Sequence, residues 1–174
     1  NPLSNLSGLN EVLKLSKKHK IKIRSICADI FMQKPIYDKD NFYLYENIIF
    51  ENLFKACKFL QVEDLVIPLV DNSSIKKCKN QKFLIDQLRK LCGTFDSLNT
   101  NICLETDLEP SQFLEFIDKI KNKKIRINYD IGNSISNGFD PSLEFNTYYN
   151  LISLIHIKDR KFNGPSVFAG TGDV

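Results

Sequence analysis

Three short apolar runs in this chain each end on a residue type that binds metal ions: Ile102-Cys103-Leu104-Glu105, Ile125-Arg126-Ile127-Asn128-Tyr129-Asp130 and Leu151-Ile152-Ser153-Leu154-Ile155-His156. Residues 105, 130 and 156 lie 25 and 26 apart, about the length of one strand-helix unit of a parallel α/β fold. Two carboxylates and an imidazole form a borderline-hard donor set. It suits one divalent cation, Mn²⁺, Mg²⁺, Co²⁺ or Zn²⁺, with positions open for substrate. A substrate whose carbonyl and neighbouring hydroxyl both reach such an ion has its α-proton acidified, and a carboxylate beside it removes that proton to give a metal-held enediolate. Taken singly, each residue has a plainer explanation. Glu105 would cap the following helix, Asp130 would form an Asx turn ahead of Gly132, and His156 would be a core histidine. Their equivalent positions on successive strands are what join them. Next to His156, Asp159 is expected to orient a ligand, and Lys158 and Arg160 to hold anionic or hydroxyl groups of a substrate, although ordinary loop charges would read the same way.

The elements that must position these residues alternate along the chain. Helical spacing over Leu9–Leu15, with Asn5 or Ser7 as cap, precedes an apolar β-branched stretch from Ile21 to Ala28. Glu46 to Leu60 is predicted as a helix and Leu65–Val70 as a strand with Pro68 near its end; Gln81 to Leu98 is again helical. The strand Asn101–Leu104 leads to a helix opening at Pro110. The strand Ile125–Tyr129 leads through Gly132-Asn133-Ser134 and Gly138 to a short helix between Pro141 and Tyr149, and the strand Ile152–Ile157 runs into a loop over Asp159–Gly164. Five apolar strands alternating with helices define a parallel sheet covered on both faces. With no G-x-G-x-x-G or Walker loop, and with Asp29, Asp71, Glu105, Asp130 and His156 following the strands, a (β/α) barrel is favoured over a doubly wound nucleotide-binding sheet.

Bulk properties narrow the function classes. The 174 residues are expected to form a single domain, and 43% hydrophobic residues are enough to fill its core. A net charge of +3, from 24 basic and 21 acidic residues mixed along the chain, excludes a dedicated nucleic-acid binder. The basic runs at Lys17–Lys20 and Lys121–Lys124 fall at expected helix ends, where cations complement the dipole. Five cysteines without C-x-x-C spacing read as buried reduced thiols of a cytoplasmic protein. No run approaches the ~18 apolar residues of a membrane span.

The residues resemble the xylose isomerase-like TIM barrels, a family of sugar and sugar-phosphate isomerases and epimerases. The resemblance spans essentially the whole chain, from Ser25-Ile26-Cys27-Ala28-Asp29 through Ile67-Pro68-Leu69-Val70-Asp71-Asn72-Ser73-Ser74. It is most specific at Leu104-Glu105-Thr106, Asp130-Ile131-Gly132-Asn133, His156-Ile157-Lys158-Asp159 and Gly170-Thr171-Gly172. It implies that Glu105, Asp130 and His156 are metal ligands and that Glu105 also serves as one acid/base. Asn133, Lys158 and Arg160 are then substrate-binding residues. It further implies a fourth ligand, a glutamate on the last barrel strand, with no counterpart here. The chain is expected to hold about the second to the sixth of eight strands as one incomplete barrel, to bind metal weakly and to be inactive as a fragment. The partner is a small sugar or sugar phosphate, a phosphate being suggested by Lys158, Arg160, Ser73 and Ser74; self-association into a homo-oligomer stays open.

Two other functions fit the same fold. A metal phosphodiesterase acting at abasic DNA sites would want several zinc ions and many histidines, whereas this chain has two histidines. A non-catalytic barrel binding a sugar or a protein would have no need of the Glu105, Asp130 and His156 set.

Overall fold

The computed structural model describes residues 2–42, 45–76 and 78–174. Five parallel strands form one curled sheet in sequential order: β1 (Ser25–Cys27), β2 (Asp64–Leu69), β3 (Asn101–Thr106), β4 (Ile125–Asp130) and β5 (Ile152–His156). Between them run α1 (Leu6–His19, before β1), the short α2 (Ile30–Gln33) and α3 (Lys39–Phe42), then α4 (Glu46–Leu60), α5 (Gln81–Thr94), α6 (Pro110–Ile120), α7 (Ile131–Ser136) and α8 (Pro141–Tyr148). A two-stranded antiparallel hairpin, β6 (Asp159–Arg160) with β7 (Ser166–Val167), follows β5. The five-strand arc with flanking helices is an incomplete TIM barrel, as the residue pattern predicts.

Side-chain alternation divides the sheet into two unlike faces. Leu65, Ile67 and Leu69 of β2, Ile102 and Leu104 of β3 and Ile125 and Ile127 of β4 point outward and are buried in one core. Against them lie Leu84, Leu88 and Leu91 of α5 and Phe113, Phe116 and Ile117 of α6. The ring of Phe54 on α4 meets Phe95 edge-on at 5.7 Å, sealing the helix layer. The alternate residues form the concave face, and many of them are polar. Asp64 accepts hydrogen bonds there from Asn101 Nδ2 at 2.9 Å and Ser153 Oγ at 2.6 Å, which ties β2, β3 and β5 together at the amino ends of the strands.

The helices stop where the backbone can turn. Lys20, Gln61 and Lys121 each follow a helix in the left-handed region (φ 55, 54 and 54°), and their N–H groups return to carbonyls of the last turn. Asn5 caps α1 by accepting from the N–H of Gly8, as expected.

Several elements differ from the sequence expectations. The first strand covers Ser25–Cys27 alone, because it is an edge that pairs only with β2; Ile21 is two-thirds exposed. α5 ends at Thr94 rather than Leu98. The segment Gly132–Ser134 is helical in α7, and Asp159–Gly164 begins a hairpin rather than a loop. Cys27 is exposed on the edge strand while Cys57, Cys92 and Cys103 are buried, so the expectation of uniformly buried thiols fails at the sheet edge. Ile155 of β5 is 47% exposed, and Ile157 and Phe168 beyond it are 83% and 88% exposed, which marks the other edge of the arc.

Candidate metal centre

Glu105 is the penultimate residue of β3, Asp130 closes β4 and His156 closes β5, so three consecutive strands deliver side chains to one point at the carboxyl end of the sheet. One donor atom from each of the three lies within 4.8 Å of the others. His156 Nδ1 faces Glu105 Oε2 at 3.6 Å and Asp130 Oδ2 at 3.9 Å. Two donors that share an ion at about 2.1 Å each are separated by no more than about 4.2 Å, so both distances are within reach of one cation. Glu105 and Asp130 are buried, and the imidazole is about a third exposed toward the mouth.

The electrostatics favour a positive charge at this point. The hydrogen bond to Glu105, and then the negative charges of Glu105 and Asp130, raise the His156 pKa above its ordinary value against the opposing effect of burial. Lys158 places its ammonium 2.9 Å from Asp130 Oδ2 and supplies one positive charge at the rim. Three acceptors converging on one another with this little cationic compensation fit a divalent ion bound by two oxygens and one nitrogen.

A second set of residues fixes the carboxylates. The backbone N–H of Asn133 donates to Asp130 Oδ1 at 2.8 Å, so Asp130 is also the N-cap of α7. The amide of Asn133 donates to Glu105 Oε1, and its carbonyl oxygen accepts from Arg160 at 2.6 Å. Asn128, two residues before Asp130 on the same face, donates to Glu105 Oε2 at 2.7 Å and lies 2.9 Å from His156 Nδ1. Glu105 therefore has an amide donor on each oxygen. Gly132 makes this packing possible: a Cβ there would stand 2.5 Å from Lys158 Cγ and 2.7 Å from its carbonyl oxygen.

The residues singled out from sequence take different positions around this centre. Lys158 pairs with Asp130. Arg160 is held by Asn133 and by the carbonyl of Gly164, reached from Nε at 3.1 Å and Nη2 at 2.7 Å. Asp159 turns away from the ligand set. Its carboxylate accepts from the backbone N–H groups of Gly170 (2.8 Å), Gly172 (2.7 Å) and Val174 (3.3 Å), and the Gly172 contact leads in holding its pKa down. The expectation that Asp159 orients a metal ligand is replaced by a clamp on the closing glycine-rich segment. Gly172 is obligatory there, since a Cβ would fall 1.8 Å from Asp159 Oδ1. Ser73 is fully buried with its hydroxyl on the carbonyls of Pro68 and Val70, and Ser74 donates to Asp107, so neither hydroxyl is presented for a phosphate.

Sequence reasoning missed Asn128 and Glu144. Glu144, on α8, is 4% exposed and accepts from Tyr129 Oη at 3.0 Å, Tyr148 Oη at 2.7 Å and Ser134 Oγ, buttressing β4 and α7 from behind. The available signals were a polar residue inside an apolar strand for Asn128 and a lone carboxylate on an aromatic helix for Glu144.

A five-strand parallel arc with a carboxylate-carboxylate-imidazole cluster at its carboxyl end is the signature of one class of TIM barrels. The family profile of the xylose isomerase-like TIM barrel matches residues 3–173, and the chain belongs to that family. Among solved structures, it is similar to a xylose isomerase domain protein from Planctomyces limnophilus (16% identity, TM-score 0.79, covering 99% of this chain and 70% of that one). It is also similar to a D-tagatose 3-epimerase-like protein (16%, 0.76, 98% and 69%) and to the IolI protein with a bound zinc atom (18%, 0.65, 95% and 76%). No curated protein matches the chain. No helix among the described residues is long and apolar enough to cross a membrane.

Proposed function

We infer that the protein is a divalent-metal-dependent isomerase or epimerase of a sugar or sugar phosphate, working by proton abstraction next to a carbonyl. The observation that carries this reading is the convergence of Glu105, Asp130 and His156 from three adjacent strand ends onto one point. These three residues would hold the ion, which when bound supplies Lewis acidity to the substrate carbonyl and the hydroxyl beside it.

The protein's own groups account for the remaining steps. Glu105 removes the proton from the carbon next to the carbonyl and, now protonated, returns it to the neighbouring carbon of the enediolate; return to the opposite face of the first carbon would take its proton from water, with Glu105 giving up its own to solvent. The amide of Asn133, donating to Glu105 Oε1, fixes the carboxylate plane so that the free lone pairs point at the substrate. Asn133 and Arg160 form a connected pair at the mouth, suited to hydroxyl or anionic groups of the substrate. Lys158, whose ammonium lies 2.9 Å from Asp130 Oδ2 beside the site, would supply positive charge near the developing enediolate oxygen. The similar solved structures include a D-allulose 3-epimerase in complex with D-allulose and a sugar phosphate isomerase/epimerase, chemistry consistent with this reading.

The test is solvent deuterium exchange into ketoses and ketose phosphates by the full-length Mn²⁺-loaded protein, followed by NMR. Exchange in the wild type and its loss in Glu105→Gln, with Mn²⁺ still bound, is the expected result. Undiminished exchange in Glu105→Gln would remove Glu105 from the role of base.

A further inference from the structure

We propose that Asn128 is a metal-facing residue whose amide occupies the ligand set in the metal-free protein and turns its carbonyl oxygen onto the ion when the site is loaded. This inference rests on the metal-site reading above. Asn128 is 3% exposed, and its Oδ1 is the buried side-chain atom without a hydrogen-bond partner among the described residues. The other end of the same amide is placed tightly: Nδ2 stands 2.7 Å from Glu105 Oε2 and 2.9 Å from His156 Nδ1, the two donor atoms that face each other at 3.6 Å. With His156 neutral and Nδ1 unprotonated, the amide satisfies its donors against two ligand atoms while leaving its acceptor orphaned, an orientation suited to one state of the site.

The count of lone pairs explains why the orientation must change. A carboxylate oxygen has two lone pairs and can keep an N–H while binding a cation. The Nδ1 of a neutral imidazole has one, so a cation on Nδ1 and the Asn128 N–H on Nδ1 exclude each other. Once the cation takes Nδ1, the positive end of the amide faces a positive ion. A half-turn about χ2 exchanges the two ends within the same volume. Oδ1 then lies 2.7–2.9 Å from the two ligand atoms, an ordinary separation for neighbouring donors around one ion. The turn gives up the N–H contacts to Glu105 and His156 and moves the amide nitrogen to the side where Oδ1 has no partner, so the bond to the ion has to outweigh both. The chain thereby provides a fourth donor, a neutral amide oxygen, and the set becomes harder, favouring Mn²⁺ or Mg²⁺ over Zn²⁺.

Two substitutions separate this role from simple support of Glu105. Asn128→Leu keeps the volume and removes both donor and acceptor; Asn128→Asp keeps only acceptors. The dissociation constant of Mn²⁺ is measured by calorimetry on the metal-free full-length protein, and the visible spectrum of the Co²⁺ form reports coordination. If Oδ1 ligates, Asn128→Leu weakens Mn²⁺ about 10–100-fold, Asn128→Asp binds Mn²⁺ at least as tightly as the wild type, and the Co²⁺ bands of the Leu variant shift and intensify as a ligand is lost. If Asn128 serves only as a donor to Glu105, both variants weaken Mn²⁺ alike and the Co²⁺ bands keep their shape; that result, or unchanged affinity in Asn128→Leu, overturns the proposal. Should the Leu variant not fold, the Asp variant decides, since weakened Mn²⁺ binding by it contradicts a ligating oxygen. Tight one-to-one Mn²⁺ binding without sugar exchange would refute the isomerase reading and leave the Asn128 test standing.

Discussion

Glu144 offers the sharpest stability test, because its carboxylate is buried with hydroxyl donors as its hydrogen-bond partners. Replacing it with alanine removes three hydrogen bonds to a charged group, from Tyr129 at 3.0 Å, from Tyr148 at 2.7 Å and from Ser134. Such bonds contribute about 1.5–3 kcal/mol each, and each buried phenol left unpaired costs about 1–3 kcal/mol. Relief of the carboxylate's own desolvation offsets several kcal/mol of that sum. The net expectation is a loss of about 3 kcal/mol for Glu144→Ala and about 1 kcal/mol for Glu144→Gln, which keeps one acceptor oxygen while the hydroxyls rotate to accept from the new amide. With a urea slope of about 2 kcal/mol/M for a domain of this size, the Ala variant should unfold about 1.5 M earlier in urea at unchanged slope. Burial leads in pushing the Tyr129 phenol up to about 12, and the Tyr148 phenol is raised by burial and then by Glu144. Both remain donors, so the loss should be the same at pH 7 and pH 9. A shift below about 0.5 M in Glu144→Ala at the same slope would show that the hydroxyls find other partners, and would refute Glu144 as the buttress of β4 and α7.

Two further outcomes follow from the metal centre. Gly132→Ala forces a Cβ against Lys158 Cγ and its carbonyl oxygen. The 158–160 segment must retreat, and an overpacking cost of about 1–3 kcal/mol should lower the melting temperature by roughly 3–10 °C; an unchanged melting temperature would contradict that close approach. His156 has a raised pKa in the folded protein, so in the metal-free state its contribution to stability is fully present below about pH 6.5 and is lost as pH rises through the folded value. Metal binding has the opposite slope, since the ion needs the unprotonated Nδ1. Mn²⁺ affinity should fall as pH drops through that same raised value. With two histidines in the chain, ring-proton NMR of the metal-free protein gives the titration directly, and a midpoint for His156 below about 6.5 would overturn the assignment.

The residues that proved legible in the sequence are those whose signal is local. Glu105, Asp130 and His156 each follow a run of apolar residues at a strand end, and the fold brings the three side chains together there. The helices α4 and α6 were equally plain, from apolar periodicity and from Pro110 at the first turn. What escaped notice depends on partners far along the chain. Asp159 belongs with Gly170 and Gly172, and Arg160 with Asn133. The hairpin of β6 and β7 forms between segments too short to show a period. α7 was hidden because Gly132 and Ser134 suggest a turn, whereas Asp130 with an N–H three residues on is a helix N-cap.

Asn128 shows why a fully buried parallel sheet is harder to read than a half-exposed one. In an antiparallel sheet, alternation of polar and apolar residues marks water on one face. Here, Asp64, Asn101, Asn128 and Ser153 interrupt apolar strands on the concave face and pair with one another or with Glu105 and His156. Burying a polar group without a partner costs free energy, so each of these residues needs a specific neighbour across the sheet. At the amino ends of the strands those neighbours are Asp64, Asn101 and Ser153 themselves, and the cluster is closed. At the carboxyl end the accounting does not close, because Asn128 Oδ1 has no partner while its amide nitrogen lies against Glu105 and His156. That imbalance beside three converging side chains is what the proposed role of Asn128 accounts for, and on that proposal the strand sequence Ile125-Arg126-Ile127-Asn128-Tyr129-Asp130 meets the candidate metal centre through two residues rather than one.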